Sequence, residues 1–158
     1  MSTYAATVAW ARTPAEPFTD HRYSRRHEWS FDGGQTVVAS ASPQIVRPPM
    51  SDPFGIDPEE ALVASLASCH MLFFLDFAAR AGFMAASYRD EAQGVMAKDA
   101  RGREWMSLVI LRPHVVFTGP RPPSAAEAEA LHHRAHDHCY IANSVKGEVR
   151  VAGTVGTA

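Results

Sequence analysis

The chain has 158 residues, 46% of them hydrophobic and 20% charged, with a formal net charge of −2. That length suits one domain spanning residues 1–158, large enough to bury about two thirds of its chain surface, and the composition excludes a disordered chain. The slightly acidic balance argues against a nucleic-acid or membrane-surface partner, because either would call for a basic patch.

Met1–Trp10 reads MSTYAATVAW, with no basic stretch ahead of an apolar run, so a secretory signal is not expected and a cytoplasmic location is. The longest uncharged apolar run lies between Glu60 and Asp76, short of the roughly 20 residues a membrane span needs. In the cytoplasm the only two cysteines, Cys69 and Cys139, are expected to be reduced thiols or a redox pair rather than a permanent structural disulfide.

Val8–Trp10 reads as a short first strand, followed by a proline-containing loop over 13–20. The stretch YSRRHEWSFDGGQTVVASAS predicts a hairpin. Its His27, Trp29 and Phe31 alternate with polar neighbours, and Asp32-Gly33-Gly34 supplies the turn. Prolines 43, 48, 49, 53 and 58 make the next stretch an extended connector.

A helix over 58–81 follows. Asp57 is a good N-cap, Pro58 suits the first turn, Glu60 completes a capping box and Gly82 is a natural stop. At ~1.5 Å per residue it runs about 36 Å. Its middle is apolar on every face, which predicts burial all round and more cover than a chain of this size supplies alone. That points to a tight dimer.

Two strands, roughly 86–98 and 104–118, are expected around an Asp99–Gly102 turn. A second helix starts at a Ser124/Glu127 capping box, and GEVRVAGTV closes the chain as a strand. Strands, helix, hairpin, helix and strand in that order predict an α+β class with an antiparallel sheet.

Each cysteine sits on one of the two long helices, so packing those helices together could bring the thiols into contact. Two buried core cysteines remain the alternative. A peroxide-reactive cysteine needs a nearby positive group to favour its thiolate, and a second cysteine to trap the sulfenic acid. Arg25, Arg26 and Arg47 are the candidate cations, each with a solvated surface position as its default. A buried arginine would also need a carboxylate, and Glu59 and Glu60 stand at the helix start. Glu59 lies ten residues before Cys69, about 15 Å along a helix at ~1.5 Å per residue. Either an arginine bridges that gap or Glu59 serves the site of a partner subunit.

A rival reading comes from LHHRAHDHC. His132 and His136 share a helical face with Cys139, close to Asp137 and His133, a spacing able to hold zinc or copper. His70 points away from Cys69 on its helix and reads as a core residue.

DPEEALVASLASC resembles the N-P-E-x-L-x-x-A-x-x-x-C signature of the OsmC/Ohr family, the osmotically inducible protein C and organic hydroperoxide resistance proteins. Pro58, Glu59 and Cys69 fall at the matching positions. HCYIANSVKGEVRV is similar to the family's second-cysteine segment. The resemblance implies the OsmC-like fold: an intertwined homodimer whose antiparallel sheets wrap around two long central helices. It also implies a thiol peroxidase acting on organic hydroperoxides without a cofactor, with an external dithiol, such as a lipoylated protein, as reductant.

Residue by residue, the resemblance implies Cys69 as the peroxidatic cysteine, Cys139 as the resolving cysteine and Glu59 as partner of an activating arginine. That arginine maps to Arg25 in the hairpin or Arg47 in the connector, with Arg25 preferred. Leu66, Met71, Leu72 and Phe73 are expected to line the substrate approach. Tyr140 stands where the family usually has a proline, which bears on substrate preference. The competing expectation is a non-catalytic member of this fold that binds a small apolar ligand or a metal through the His132/His136 face.

Overall fold

The computed structural model describes residues 1–157. The chain divides into two compact units, Met1–Ala61 and Leu62–Ala158.

In the first unit, β1 (Ala6–Ala9), β2 (His27–Phe31) and β3 (Thr36–Ala39) form an antiparallel sheet in that order. Trp29 stands opposite both Val8 and Val37. The β2–β3 turn closes through the Gly34 N–H, which donates to Phe31 O at 2.9 Å, with Gly34 at φ 82°. Glycine reaches that left-handed backbone without steric cost, so the hairpin read from Asp32-Gly33-Gly34 forms as expected. The proline-rich connector is irregular but tied down. Ser40 N–H donates to Ile56 O at 3.0 Å, Ile56 N–H to Val38 O at 3.0 Å, and Asp52 N–H to Ser40 Oγ at 2.9 Å.

The first helix, α1, spans Pro58–Arg80. Its start is the expected capping box: Asp57 Oδ1 accepts the Glu60 N–H at 2.7 Å, and Glu60 Oε2 accepts the Asp57 N–H at 3.4 Å. Gly82, at φ 79°, ends it. The single chain covers α1 incompletely, as its apolar circumference suggested. Leu66, His70, Phe74, Phe77 and Ala78 form one buried face, whereas Ala64, Ser68, Leu72 and Asp76, spaced four apart, form an exposed row. Leu72 is 62% exposed. The helix is apolar all round, yet within the described residues this row stays exposed. By length and composition alone α1 could also cross a membrane.

The two long strands expected over 86–98 and 104–118 are each broken in two. The first gives β4 (Met84–Asp90) and β5 (Gln93–Lys98), and the second gives β6 (Glu104–Leu111) and β7 (Pro113–Thr118). The closing strand also splits, into β8 (Glu148–Val151) and β9 (Thr154–Thr157). The halves sort into two sheets, β4-β7-β9 and β5-β6-β8. At the corner Pro113 has no N–H to donate. Asp90 Oδ1 instead accepts the Arg112 N–H at 2.6 Å, fixing the bend. Within the expected α+β class, β4 pairs with β7 and β5 with β6 antiparallel, while β8 runs parallel to β6 and β9 parallel to β7. Strands β8 and β9 follow a helix rather than a hairpin turn, so the chain re-enters the sheets in the opposite sense.

The second helix, α2 (Ala125–His138), opens on the expected capping box. Ser124 Oγ accepts the Glu127 N–H at 3.2 Å, and Glu127 Oε2 accepts the Ser124 N–H at 2.8 Å. Phe74, Phe77, Phe83, Val115, Phe117, Leu131 and Ala135 form one core between α1, β7 and α2. A second core gathers Leu66, Val109 and Leu111.

Removing the corner acceptor should be costly. Asp90→Ala removes the acceptor of the Arg112 N–H and is expected to lower unfolding free energy by about 0.5–1.5 kcal/mol, measured by urea denaturation. Unchanged stability would show that the bend does not depend on this bond.

Candidate active site

Cys69 is half-buried near the middle of α1, and Cys139 is a buried C-cap of α2, 1% exposed. Both are free thiols, and Cys69 lies close enough to Cys139 to raise the Cys139 thiol's pKa. The helices therefore bring together the two residues that the sequence could only place on separate elements. Burial pushes the Cys139 thiol up to about 11, and the Cys69 contact adds to that. The N–H groups of Ala142 and Ile141 pull the other way. Ala142 N–H reaches Cys139 Sγ at 3.3 Å. At neutral pH Cys139 is thus a protonated, enclosed thiol beside Cys69, while Cys69 is the more exposed of the two.

Two aromatic rings flank this pair in sequence. Phe73, one helical turn after Cys69, meets Tyr140, directly after Cys139, edge-on at 5.1 Å between ring centroids. Of the expected lining residues, Phe73 and Met71 are half-buried and Leu72 is exposed. Leu66 is fully buried in a core cluster and has no open surface to offer.

His70 of α1 and His132 of α2 join the two helices. His70 Nε2 and His132 Nδ1 are 3.1 Å apart, with the rings stacked at 5.4 Å and 9°. His132 also stacks on Phe74 at 4.3 Å. His70 Nδ1, His132 Nε2 and His136 Nδ1 are buried without a hydrogen-bond partner. Burial pulls both His70 and His132 down to about 4. The neighbouring imidazoles reinforce the shift, His132 and His136 on His70 and His133 on His132. His70 is the core residue that its position suggested. Its pairing with His132 has no local sequence signal, since the two are 62 residues apart.

His132, His133 and His136 also line a cavity of about 710 Å³ between α2 and the segment from Glu148 to Val155. Among the described residues no group of three or more histidine, cysteine or acidic side chains is arranged to hold a metal ion. His132 spends its Nδ1 on His70, so the helical spacing that suggested zinc or copper does not assemble a ligand set.

The remaining candidates lie in the first unit. Arg25 Nη1 donates to His21 O at 2.6 Å and to Tyr23 O, and its guanidinium sits 3.8 Å from the Tyr23 ring centre. No hydrogen bond forms from its Nε or Nη2 within the described residues. Arg26 is committed to Asp52 at 3.1 Å. Arg47 is exposed. Glu59 is half-buried in the first turn of α1, and the chain forms no Arg25–Glu59 ion pair among the described residues.

A family model for OsmC-like proteins matches residues 50–152. The chain belongs to the OsmC-like family. An OsmC-like protein of unknown function from Vibrio cholerae is 47% identical, with a TM-score of 0.95 over 98% of this chain and 100% of that one. An organic hydroperoxide resistance protein from Elizabethkingia anophelis is 16% identical, with a TM-score of 0.68 over 100% of this chain and 98% of that one. The organic hydroperoxide resistance protein OhrB of Bacillus subtilis is 17% identical, with a TM-score of 0.65 over 98% of each chain. At such identities the last two share the OsmC-like α+β fold. No curated protein matches the chain. The family resemblance drawn from the two cysteine segments is thereby confirmed.

The buried imidazoles generate a stability prediction. Between about pH 6.5 and about pH 4 an unfolded imidazole binds a proton that the folded pair refuses, so stability rises with pH across that window and is lost on acidification. The pair is expected to contribute a loss on the order of a few kcal/mol over that range. Denaturant titrations at several pH values should show it, and His132→Leu should shallow the slope. Equal slopes in both proteins would remove the pair as its cause.

Proposed function

We propose that the protein is a cysteine-dependent reductase of organic hydroperoxides. The observation that carries this reading is the juxtaposed thiol pair, with one sulfur half-open and the other enclosed and protonated. Membership of a family whose structural neighbours include organic hydroperoxide resistance proteins supports it.

The Cys69 thiolate attacks the terminal oxygen of the hydroperoxide. An S–O bond forms, the O–O bond breaks, and the departing alkoxide takes a proton to leave as an alcohol. Cys69 becomes a sulfenic acid. The Cys139 sulfur, already in contact, attacks the Cys69 sulfur. Its thiol proton leaves with the sulfenic hydroxyl as water, and a Cys69–Cys139 disulfide remains. An external dithiol then returns both sulfurs to thiols and becomes a disulfide itself. By resemblance a lipoylated protein could supply that dithiol.

Arg25 is assigned the positive charge that favours the thiolate and orients the peroxide, and Glu59 the carboxylate that balances it. A homodimer is part of the reading: the exposed row Ala64, Ser68, Leu72 and Asp76 leaves half of α1 uncovered in a single chain. Small residues in that row would let a second helix approach closely.

A second reading, binding of a small apolar ligand, is favoured by the cavity beside His132 and His136. It requires no reaction at the cysteines, so one experiment separates the two. Reduced protein mixed with one equivalent of cumene hydroperoxide should lose two hydrogens within seconds by intact mass, with Cys69 linked to Cys139 in the peptide map. Arg25→Ala should slow that loss by roughly a hundredfold or more, the cost typical of removing one preorganised donor. An unchanged mass in the unsubstituted protein would overturn the peroxidase reading and favour ligand binding. Unchanged kinetics in Arg25→Ala would move the role to Arg47.

A further inference from the structure

The segment from His21 to Trp29 holds the Arg25 guanidinium by more contacts than a surface arginine needs. Nη1 is saturated by two backbone carbonyls, those of His21 and Tyr23. The face of the guanidinium rests on the Tyr23 ring at 3.8 Å. That ring is itself wedged against Phe18 at 4.6 Å and Trp10 at 5.5 Å, and Trp10 Nε1 donates to Ser24 O at 2.7 Å. The Arg25 backbone is fixed at both ends. Its N–H donates to Met50 O at 2.8 Å, and its carbonyl lies 2.8 Å from His27 Nδ1.

The His27 tautomer follows from its neighbours. Trp29 Nε1 donates to His27 Nε2 at 2.9 Å. An indole N–H can only donate, so Nε2 must accept, and the imidazole proton sits on Nδ1, aimed at the Arg25 carbonyl. Protonating His27 would set two N–H groups against each other and break the Trp29 bond.

His21 is the only residue other than glycine with a positive φ among the described residues, at 63°. Such a backbone is costly for a side chain carrying a Cβ and persists where surrounding contacts impose it. Here it delivers the His21 carbonyl to Arg25.

We propose that His21, Tyr23, His27 and Trp29 form a clamp that presets the Arg25 guanidinium, spending Nη1 and leaving the Nε–Nη2 edge free for an anionic or peroxidic group. They are positioning residues, acting through Arg25, and the inference rests on the peroxidase reading for what that edge meets. A preset guanidinium loses little freedom when it engages the reacting group, which is the source of its advantage over a flexible one.

The test exploits the left-handed residue. His21→Gly keeps the carbonyl and relaxes the backbone, whereas His21→Val resists positive φ and should displace it. Tyr23→Leu removes the supporting ring without touching His21 and stands in if the valine variant fails to fold. Two readouts are taken on the full chain: arginine side-chain nitrogen–proton spectra, and the second-order rate of Cys69 oxidation by cumene hydroperoxide. The unsubstituted protein and His21→Gly should show restricted Cζ–Nη1 rotation and rates within about twofold of each other. His21→Val and Tyr23→Leu should lose the restriction and react roughly tenfold or more slowly.

A freely rotating Arg25 in the unsubstituted protein overturns the clamp. So does a His21→Gly variant as impaired as His21→Val, because the imidazole would then be the working group. A restricted guanidinium in a protein that does not react with hydroperoxide leaves the clamp standing and overturns the peroxidase reading instead.

Discussion

Everything at the thiol pair depends on how α2 is held against α1, and His132 sets that register. Its ring is bonded edge to edge to His70 of α1 at 3.1 Å and stacked on Phe74 of α1 at 4.3 Å. The contact stands one residue from Cys69 on α1 and seven from Cys139 on α2. A slip of either helix would separate the sulfurs and also leave more imidazole nitrogen unpartnered in the core. Placing two polar rings here is expensive, with three buried ring nitrogens already lacking partners. Leucine at both positions would pack with fewer demands, but without a directional bond to fix the register.

The thiols divide the chemistry through their surroundings. Cys139 closes α2 with almost no exposed surface, and burial together with the Cys69 contact keeps it protonated at neutral pH. Cys69, on a helix only half covered, keeps a path to solvent. On the proposed reading, a Cys69 sulfenic acid would form beside an enclosed thiol able to trap it. The OsmC-like fold contributes the crossing of two helices, and this chain's own residues contribute the asymmetry.

Much of this was legible in the sequence because it rests on local chemistry. Both capping boxes, the Asp32-Gly33-Gly34 turn and the glycine stop at Gly82 are fixed by neighbours within a few residues, and all appear as read. The two cysteine segments carry the family because Pro58, Glu59 and Cys69 keep a fixed spacing on one helix. What escaped was long-range. The corner at Asp90, Arg112 and Pro113 breaks strands whose residue pattern runs on without interruption, and it depends on a carboxylate 22 positions away from the N–H it accepts. The His70–His132 bond joins residues far apart in sequence, and neither side chain announces the other. The parallel pairing of β8 and β9 follows from the path of the chain after α2, which alternation cannot encode.

The most direct test of the division between the two sulfurs is to trap the sulfenic acid in single-cysteine variants. Cys139→Ser and Cys69→Ser proteins are each treated with cumene hydroperoxide in the presence of a dimedone-type nucleophile, and the adduct is located by peptide mass mapping. The account predicts an adduct on Cys69 in the Cys139→Ser protein and none on Cys139 in the Cys69→Ser protein. An adduct on Cys139, or none on Cys69, would contradict it.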